Sequence, residues 1–234
     1  MGYTTYVELI KPLITGKEIV ATSMKKEIQR VQTAIELARK GKTCVLVSSG
    51  DPGIYAMAGL ALELCKAQSI SIVPRTTFSN SNENQKRLLI EIVPGIPALA
   101  AGASLLGAPL THDFAAISLS DLLTPWKVIE KRLNAAALAD FVIVLYNPKS
   151  KRRKEHLTRA QKIILQHRSP KTPVGVVVSA MRSQQEVTIV PLKDLHEATV
   201  NMQTTLFVGN SVSATYGAFM FTPRGYAGKY DLKK

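Results

Sequence analysis

Two stretches of this chain end an apolar run at residues fit to hold a small polar ligand. Val45-Leu46-Val47 runs into Ser48-Ser49-Gly50-Asp51-Pro52-Gly53-Ile54-Tyr55, and a helix-compatible run over 56–66 follows. Gly50 and Gly53 permit a sharp turn and a close approach of backbone to ligand. Asp51 supplies an acceptor for a ribose hydroxyl or a cationic group. Further on, an apolar run over 88–93 ends in Pro94-Gly95-Ile96-Pro97 and opens a small-residue helix, Ala98–Leu106. In an open α/β sheet such loops lie at the carboxyl ends of strands, where ligands bind. Side by side they make a cleft, although either one alone also reads as a plain strand-to-helix turn.

The elements that must position these loops alternate along the chain. Apolar residues at Ile28, Val31, Ile35 and Ala38 mark one helix face, with Ser23 as N-cap and Gly41 as stop. Residues 43–48 predict a strand buried on both faces, and residues 74–87 a polar exposed loop. Beyond a change of domain near 109–113, strands are expected over 114–118, 141–146, 174–178, 187–190 and 205–208, with helices over 125–138 and 155–166. This is the βαβ rhythm of a parallel sheet, although the last strands sit close enough to pair antiparallel. The expected architecture is α/β in two domains, 1–110 and 111–234, with a ligand cleft between them.

Composition narrows the classes. At 234 residues, 46% hydrophobic and 20% charged, the chain has enough material for a sizeable core. No apolar run approaches the roughly 20 residues of a membrane helix, and the start lacks the order of a signal peptide. Cys44 and Cys65 have no partner spacing for zinc and read as packed thiols of a cytoplasmic protein. The four histidines, 112, 156, 167 and 196, show no ligand spacing, so no protein-bound metal is expected. The net charge of +13 suits a polyanion, either nucleic acid or a small polycarboxylate. Its one dense run, 149–154, has no aromatic residues interleaved for base stacking.

With these loops in place the chain resembles the tetrapyrrole methylase family of S-adenosylmethionine-dependent enzymes, from Tyr3 to about Tyr226. The family-wide features are Ser49-Gly50-Asp51-Pro52, Val93-Pro94-Gly95-Ile96-Pro97-Ala98 and Gly209-Asn210-Ser211. Narrower ones are Ile117-Ser118-Leu119-Ser120-Asp121-Leu122-Leu123-Thr124-Pro125-Trp126, Leu145-Tyr146-Asn147-Pro148-Lys149-Ser150 and Thr222-Pro223-Arg224-Gly225-Tyr226. These resemble the branch that methylates C-17 of a precorrin-3-type tetrapyrrole and contracts the macrocycle. Family members begin with a strand and a Gly-rich, Pro-containing loop, and this chain starts after that unit. The resemblance therefore implies a sheet without its first strand, with an exposed edge. The polar insert at 74–87 is also longer than the resemblance implies.

The resemblance further implies which residues act. Methyl transfer from a sulfonium is an in-line displacement in which positioning can supply roughly 7–11 kcal/mol of the barrier. The donor is expected against Ser49, Gly50, Asp51, Pro52, Ile54 and Tyr55, under Pro97 and Ala98, and across Tyr146, Asn147, Ala180 and Met181. For Tyr146 and Asn147 an ordinary turn competes, and for Ala180 and Met181 core packing. During ring contraction an oxygen must lose or share a proton, and Asp121 and Ser118 are the catalytic candidates. Asp121 could equally cap the helix near Pro125. His112, Ser120, Arg182, Asn210 and Ser211 are expected toward the substrate. Any cobalt would belong to the substrate, and the basic run would steer its carboxylates. The expected partners are a tetrapyrrole and a second copy in a homodimer, with no membrane and no nucleic acid. Two alternatives stand beside this: a ribosomal-RNA methyltransferase of the same fold, and an inactive truncated homologue.

Overall fold

The structure, a computed structural model, describes residues 1–77, 87–150 and 152–233. Most of the 74–87 insert and Lys151 of the basic run therefore lie outside the described residues. The chain forms two compact units, Met1–Pro97 and Ala98–Lys234.

In the first unit, β1 (Gly2–Tyr3) pairs in parallel with β2 (Ala21–Thr22), and α1 (Thr4–Leu9) lies between them in sequence. Helices α2 (Glu27–Arg39) and α3 (Ala58–Ala67) pack on each other. A second parallel pair joins β3 (Ile72–Pro74) to β4 (Leu88–Ile90). The small core is Val31, Ile35, Met57 and Cys65, with Leu46, Leu60, Leu64, Leu88 and Ile90 against it. Ser23 does not cap α2. Its carbonyl instead accepts from Arg30, a buried guanidinium that also donates to the Thr22 hydroxyl at 2.7 Å.

The strand expected over 43–48 is only an extended segment. Among the described residues its backbone bonds run to one side alone: the Met1 nitrogen donates to Val45 O at 2.6 Å, Val47 N donates to Met1 O at 2.8 Å, and Gly2 bridges Val47. Val45 is 66% exposed, so this segment is not buried on both faces. The strand expected over 88–93 stops at Ile90, where its pairing with β3 ends.

The second unit opens with α4 (Ala98–Leu106), so its boundary falls earlier than the one expected after Leu110. The reason is packing: α4 sits on the second unit's sheet, and β5 (Gly107–Ala108) pairs with a strand near the C-terminus. There follow β6 (Phe114–Ser118), α5 (Trp126–Leu138), β7 (Val142–Tyr146) and α6 (His156–Leu165). Strands β8 (Pro173–Val178), β9 (Glu186–Pro191) and β10 (Thr204–Val208) complete a five-stranded sheet in the order β6-β7-β10-β8-β9. β6 and β7 are parallel, while β10 runs antiparallel to both β7 and β8. A hairpin not foreseen from the sequence, β11 (Ala214–Tyr216) with β12 (Phe219–Phe221), joins β5 in a small second sheet.

Alternation along the strands divides this unit's core by face. Ile143, Leu145, Leu206 and Val208 pack with Ile129, Leu133 and Ile164 of α5 and α6. Val144, Val177 and Phe207 point the other way, toward Leu106 and Met220. α4 lies close on that second face because two glycines make room. A Cβ on Gly102 would stand 2.7 Å from the Phe207 ring, and one on Gly175 would stand 2.3 Å from Leu106.

Candidate active site

The first unit brings the two glycine loops together. Asp51 Oδ2 accepts from Gly95 N at 3.0 Å and Oδ1 accepts from Gly53 N at 2.8 Å. A Cβ on Gly95 would stand 2.1 Å from Gly50 O, so the loops meet backbone to backbone and only glycine fits there. The amides of Gly95 and Gly53 hold the Asp51 carboxyl below its ordinary pKa. Asp51 is thus a clamp between loops as well as an exposed acceptor. Gly50 and Tyr55 take positive φ, 75° and 52°.

In the second unit the carboxyl ends of β6 and β7 gather a second set. The Tyr146 hydroxyl accepts from Leu99 N at 2.9 Å, in the first turn of α4, which sets Tyr146 beside Ala98. Asn147 adopts φ 53°, a left-handed conformation that Asn tolerates better than most residues. Its Nδ2 donates to Ser118 Oγ at 3.0 Å, and Ser120 N donates to the same oxygen at 3.2 Å. The turn after β8 lies at this end too, since Val178 pairs with Thr204. There Ser179 and Met181 have φ 49° and 58°, Met181 N donates to Gln185 Oε1, and Arg182 N to Ser179 O. Strained positions of this kind persist where surrounding structure enforces them, and they gather at ligand sites.

Asp121 does not cap α5, whose N-cap, Pro125, has no side-chain partner. Its Oδ2 lies 3.1 Å from His156 Nε2 at the start of α6. The approach is off the line of a good hydrogen bond, leaving both imidazole nitrogens without a hydrogen-bond partner among the described residues. The His156 ring meets Trp126 edge-on at 4.7 Å, and Arg159 stacks 4.3 Å over that indole. Sequence reasoning missed His156. The available signal was a polar aromatic residue opening both α5 and α6, Trp126 and His156.

Three expected substrate residues lie at the other end of this sheet. Because β10 is antiparallel to β7, Gly209-Asn210-Ser211 emerges beside the start of β7. Ser211 donates from N and Oγ to Asp140, which also pairs with buried Arg168 at 2.9 Å. Asn210 Oδ1 accepts from Val212 N and Ser213 Oγ, building the turn. His112 precedes β6, where its Nδ1 accepts from Asp113 N, again at the starting end. These residues are turn builders remote from Ser118 and Asn147. Of the basic run, Lys149, Arg152 and Lys154 are exposed, whereas Arg153 folds back with its Nε out of water. Among the described residues no group of three His, Cys, Asp or Glu side chains forms a ligand set. No helix there is long and apolar enough to cross a membrane.

A mixed α/β chain with glycine loops at strand ends defines a class, and residues 2–196 match the profile of the Tetrapyrrole (Corrin/Porphyrin) Methylases. The chain belongs to the tetrapyrrole methylase family. It is 47% identical over 234 residues, all of this chain and 41% of the relative's length, to a Cobalt-factor III methyltransferase of Priestia megaterium. It is also 47% identical over 226 residues to a Probable cobalt-factor III C(17)-methyltransferase of Salmonella typhimurium, covering 97% of this chain and 87% of that one. The chain thus spans under half of the first relative and most of the second. Among solved structures, the methyltransferase CobJ superposes with a TM-score of 0.82 at 36% identity, over 95% of this chain and 87% of that one. A Thermus thermophilus uroporphyrin-III C-methyl transferase complexed with S-adenosyl homocysteine has a TM-score of 0.59 at 19% identity, over 86% of this chain and 80% of that one, a likeness of fold.

Proposed function

We propose that the protein is an S-adenosylmethionine-dependent methyltransferase of cobalamin synthesis, methylating C-17 of a precorrin-3-type tetrapyrrole and contracting its ring. The observation that carries this reading is the likeness, across the whole of this chain, to relatives named cobalt-factor III methyltransferases. Their names favour a cobalt-bearing substrate, in which the metal is cargo.

The residues present fit the donor. Gly95 lets the two loops meet backbone to backbone, and four residues expected to touch the donor, Gly50, Tyr55, Asn147 and Met181, hold left-handed backbones. When bound, the donor supplies a methyl group on a cationic sulfur. The donor contacts are Ser49, Gly50, Asp51, Pro52, Ile54, Tyr55, Pro97, Ala98, Tyr146, Asn147, Ala180 and Met181. Asp51 and the loop carbonyls accept from its hydroxyl and ammonium groups; in the second unit Tyr146 is fixed by Leu99 and Asn147 by Ser118. Ser120 and Arg182 face the macrocycle, and Asp121 with Ser118 handles the proton of ring contraction. The enzyme works as a cytoplasmic homodimer, which light scattering at working concentration would check.

The direct test supplies methyl-labelled donor with cobalt-factor III, its metal-free counterpart, or ribosomal RNA. Label on the tetrapyrrole with a changed absorption spectrum is expected. Label on RNA would replace this reading with the nucleic-acid one, which the +13 charge would suit.

A further inference from the structure

Resting on that reading, we infer that His156 is a positioning residue for Asp121, and that the pair serves ring contraction rather than methyl transfer. Asp121 follows Ser118 at the carboxyl end of β6, and Leu119 N donates to Tyr146 O at 2.9 Å, which extends the parallel pair to this point. Asp121 is therefore held at the end where Ser118 and Asn147 meet. Its side chain is 42% exposed, whereas that of His156 is 13% exposed with both nitrogens out of water. The carboxylate is the member a macrocycle can touch, and the imidazole stands behind it.

The arrangement is a poor structural staple. Trp126 Nε1 and His156 Nδ1 are buried with no hydrogen-bond partner among the described residues, a cost that a leucine or phenylalanine would avoid. The indole fixes the imidazole edge-on, and Arg159 in turn fixes the indole from its face. Leu122 and Leu123 beside Asp121 are exposed, at 71% and 92%, so apolar burial of this loop does not explain where Asp121 sits.

In the step itself, which takes a substrate already bearing a hydroxyl on a bridging carbon of the macrocycle, the O–H bond of that hydroxyl breaks and its proton goes to Asp121. The freed oxygen pair becomes a carbonyl bond. The adjacent carbon–carbon bond migrates to the neighbouring unsaturated carbon, whose π pair moves onto a ring nitrogen. No oxidant enters. His156 Nε2, 3.1 Å from Asp121 Oδ2, keeps that oxygen on the imidazole side so that the other faces the hydroxyl, and the two would align into a hydrogen bond as the proton moves, as an orienting group does for a base.

The test separates two readouts on the same tetrapyrrole: methyl label transferred, and the absorption change of contraction. His156→Phe is expected to slow contraction about 100-fold, within the range for general acid–base groups, and to leave methyl transfer and substrate KM within about threefold, while Asp121→Asn should slow contraction at least as much. His156→Gln keeps a donor near the carboxylate and should recover part of the loss, and thermal melts confirm that the variants fold. Contraction at the wild-type rate in His156→Phe overturns the assignment. So does a parallel fall in both readouts, which is what a structural staple would give. Wild-type protein that methylates without contracting overturns the pair's role but leaves the methyltransferase reading standing. Absence of any methyl transfer overturns both.

Discussion

At Asp51 both carboxylate oxygens are committed to backbone amides, so the residue joins two loops before any ligand arrives. Its folded pKa lies below the ordinary 3.8, because Gly95 N and Gly53 N favour the ionised form. Its contribution to stability is full above the unfolded value and fades as pH falls through the folded one. Acid titration of the melting temperature from about pH 5 to pH 2 should show this loss, and Asp51→Asn should flatten that limb while weakening donor binding by calorimetry. Asn147 gives a second case. Asn147→Ala loses the amide bond to Ser118 and takes up a left-handed backbone, together about 2 kcal/mol. Asn147→Gly loses only the bond, about 1 kcal/mol, and urea unfolding orders the two. Residues such as Asp51, Tyr146 and Asn147 were legible because Gly, Pro and Asn mark strand ends by their own backbone chemistry. His156 was not, because its partner Asp121 is distant in sequence and no local spacing links them.

Element positions followed the sequence most closely in the second unit. There runs such as Val142–Tyr146 and Thr204–Val208, the second apolar after two β-branched threonines, became strands buried on both faces. The segment over 43–48 has the same composition but, among the described residues, bonds along one side only, since an apolar run becomes a strand only where neighbours complete its ladder. Strand direction was not readable either. Nothing local in Thr204–Val208 says that it enters between β7 and β8, and that choice sends Asn210 and Ser211 to the far end. Helix seating makes a paired prediction. Gly102→Ala forces a methyl into the Phe207 ring at 2.7 Å and should cost about 1–3 kcal/mol, loosening the Leu99–Tyr146 contact. Gly59→Ala, in α3 with open space around it, should instead stabilise by about 0.4–1 kcal/mol. Denaturant midpoints of the two variants would show opposite signs.

Across the whole molecule the excess of cations outweighs any single pair. Most ion pairs among the described residues are exposed at the surface, for instance Lys42 with Glu18 at 2.7 Å, and contribute little to stability. The positive field is better suited to capture than to cohesion. Replacing the exposed Lys149, Arg152 and Lys154 together with Ala should slow association of a polycarboxylate tetrapyrrole, most strongly at low ionic strength. Stopped-flow binding over a salt series is the measurement, and a rate unchanged in low salt would reduce the run to a solvated face. Melting temperature should stay within about one degree, as expected for surface changes.

The central place of β10 has a consequence for how the chain is made. Its residues are the last of the five-stranded sheet to leave the ribosome, yet they occupy its middle. Until residue 208 is free, β6 with β7 and β8 with β9 exist as two half-sheets, each with an open edge. The emerging domain must therefore wait, exposed, for a distant segment to close it, which slows folding and lengthens the window for misassociation. Ribosome-bound chains arrested before residue 204 should remain protease-sensitive from β6 onward, and those extended well past residue 208 should become resistant in a single step.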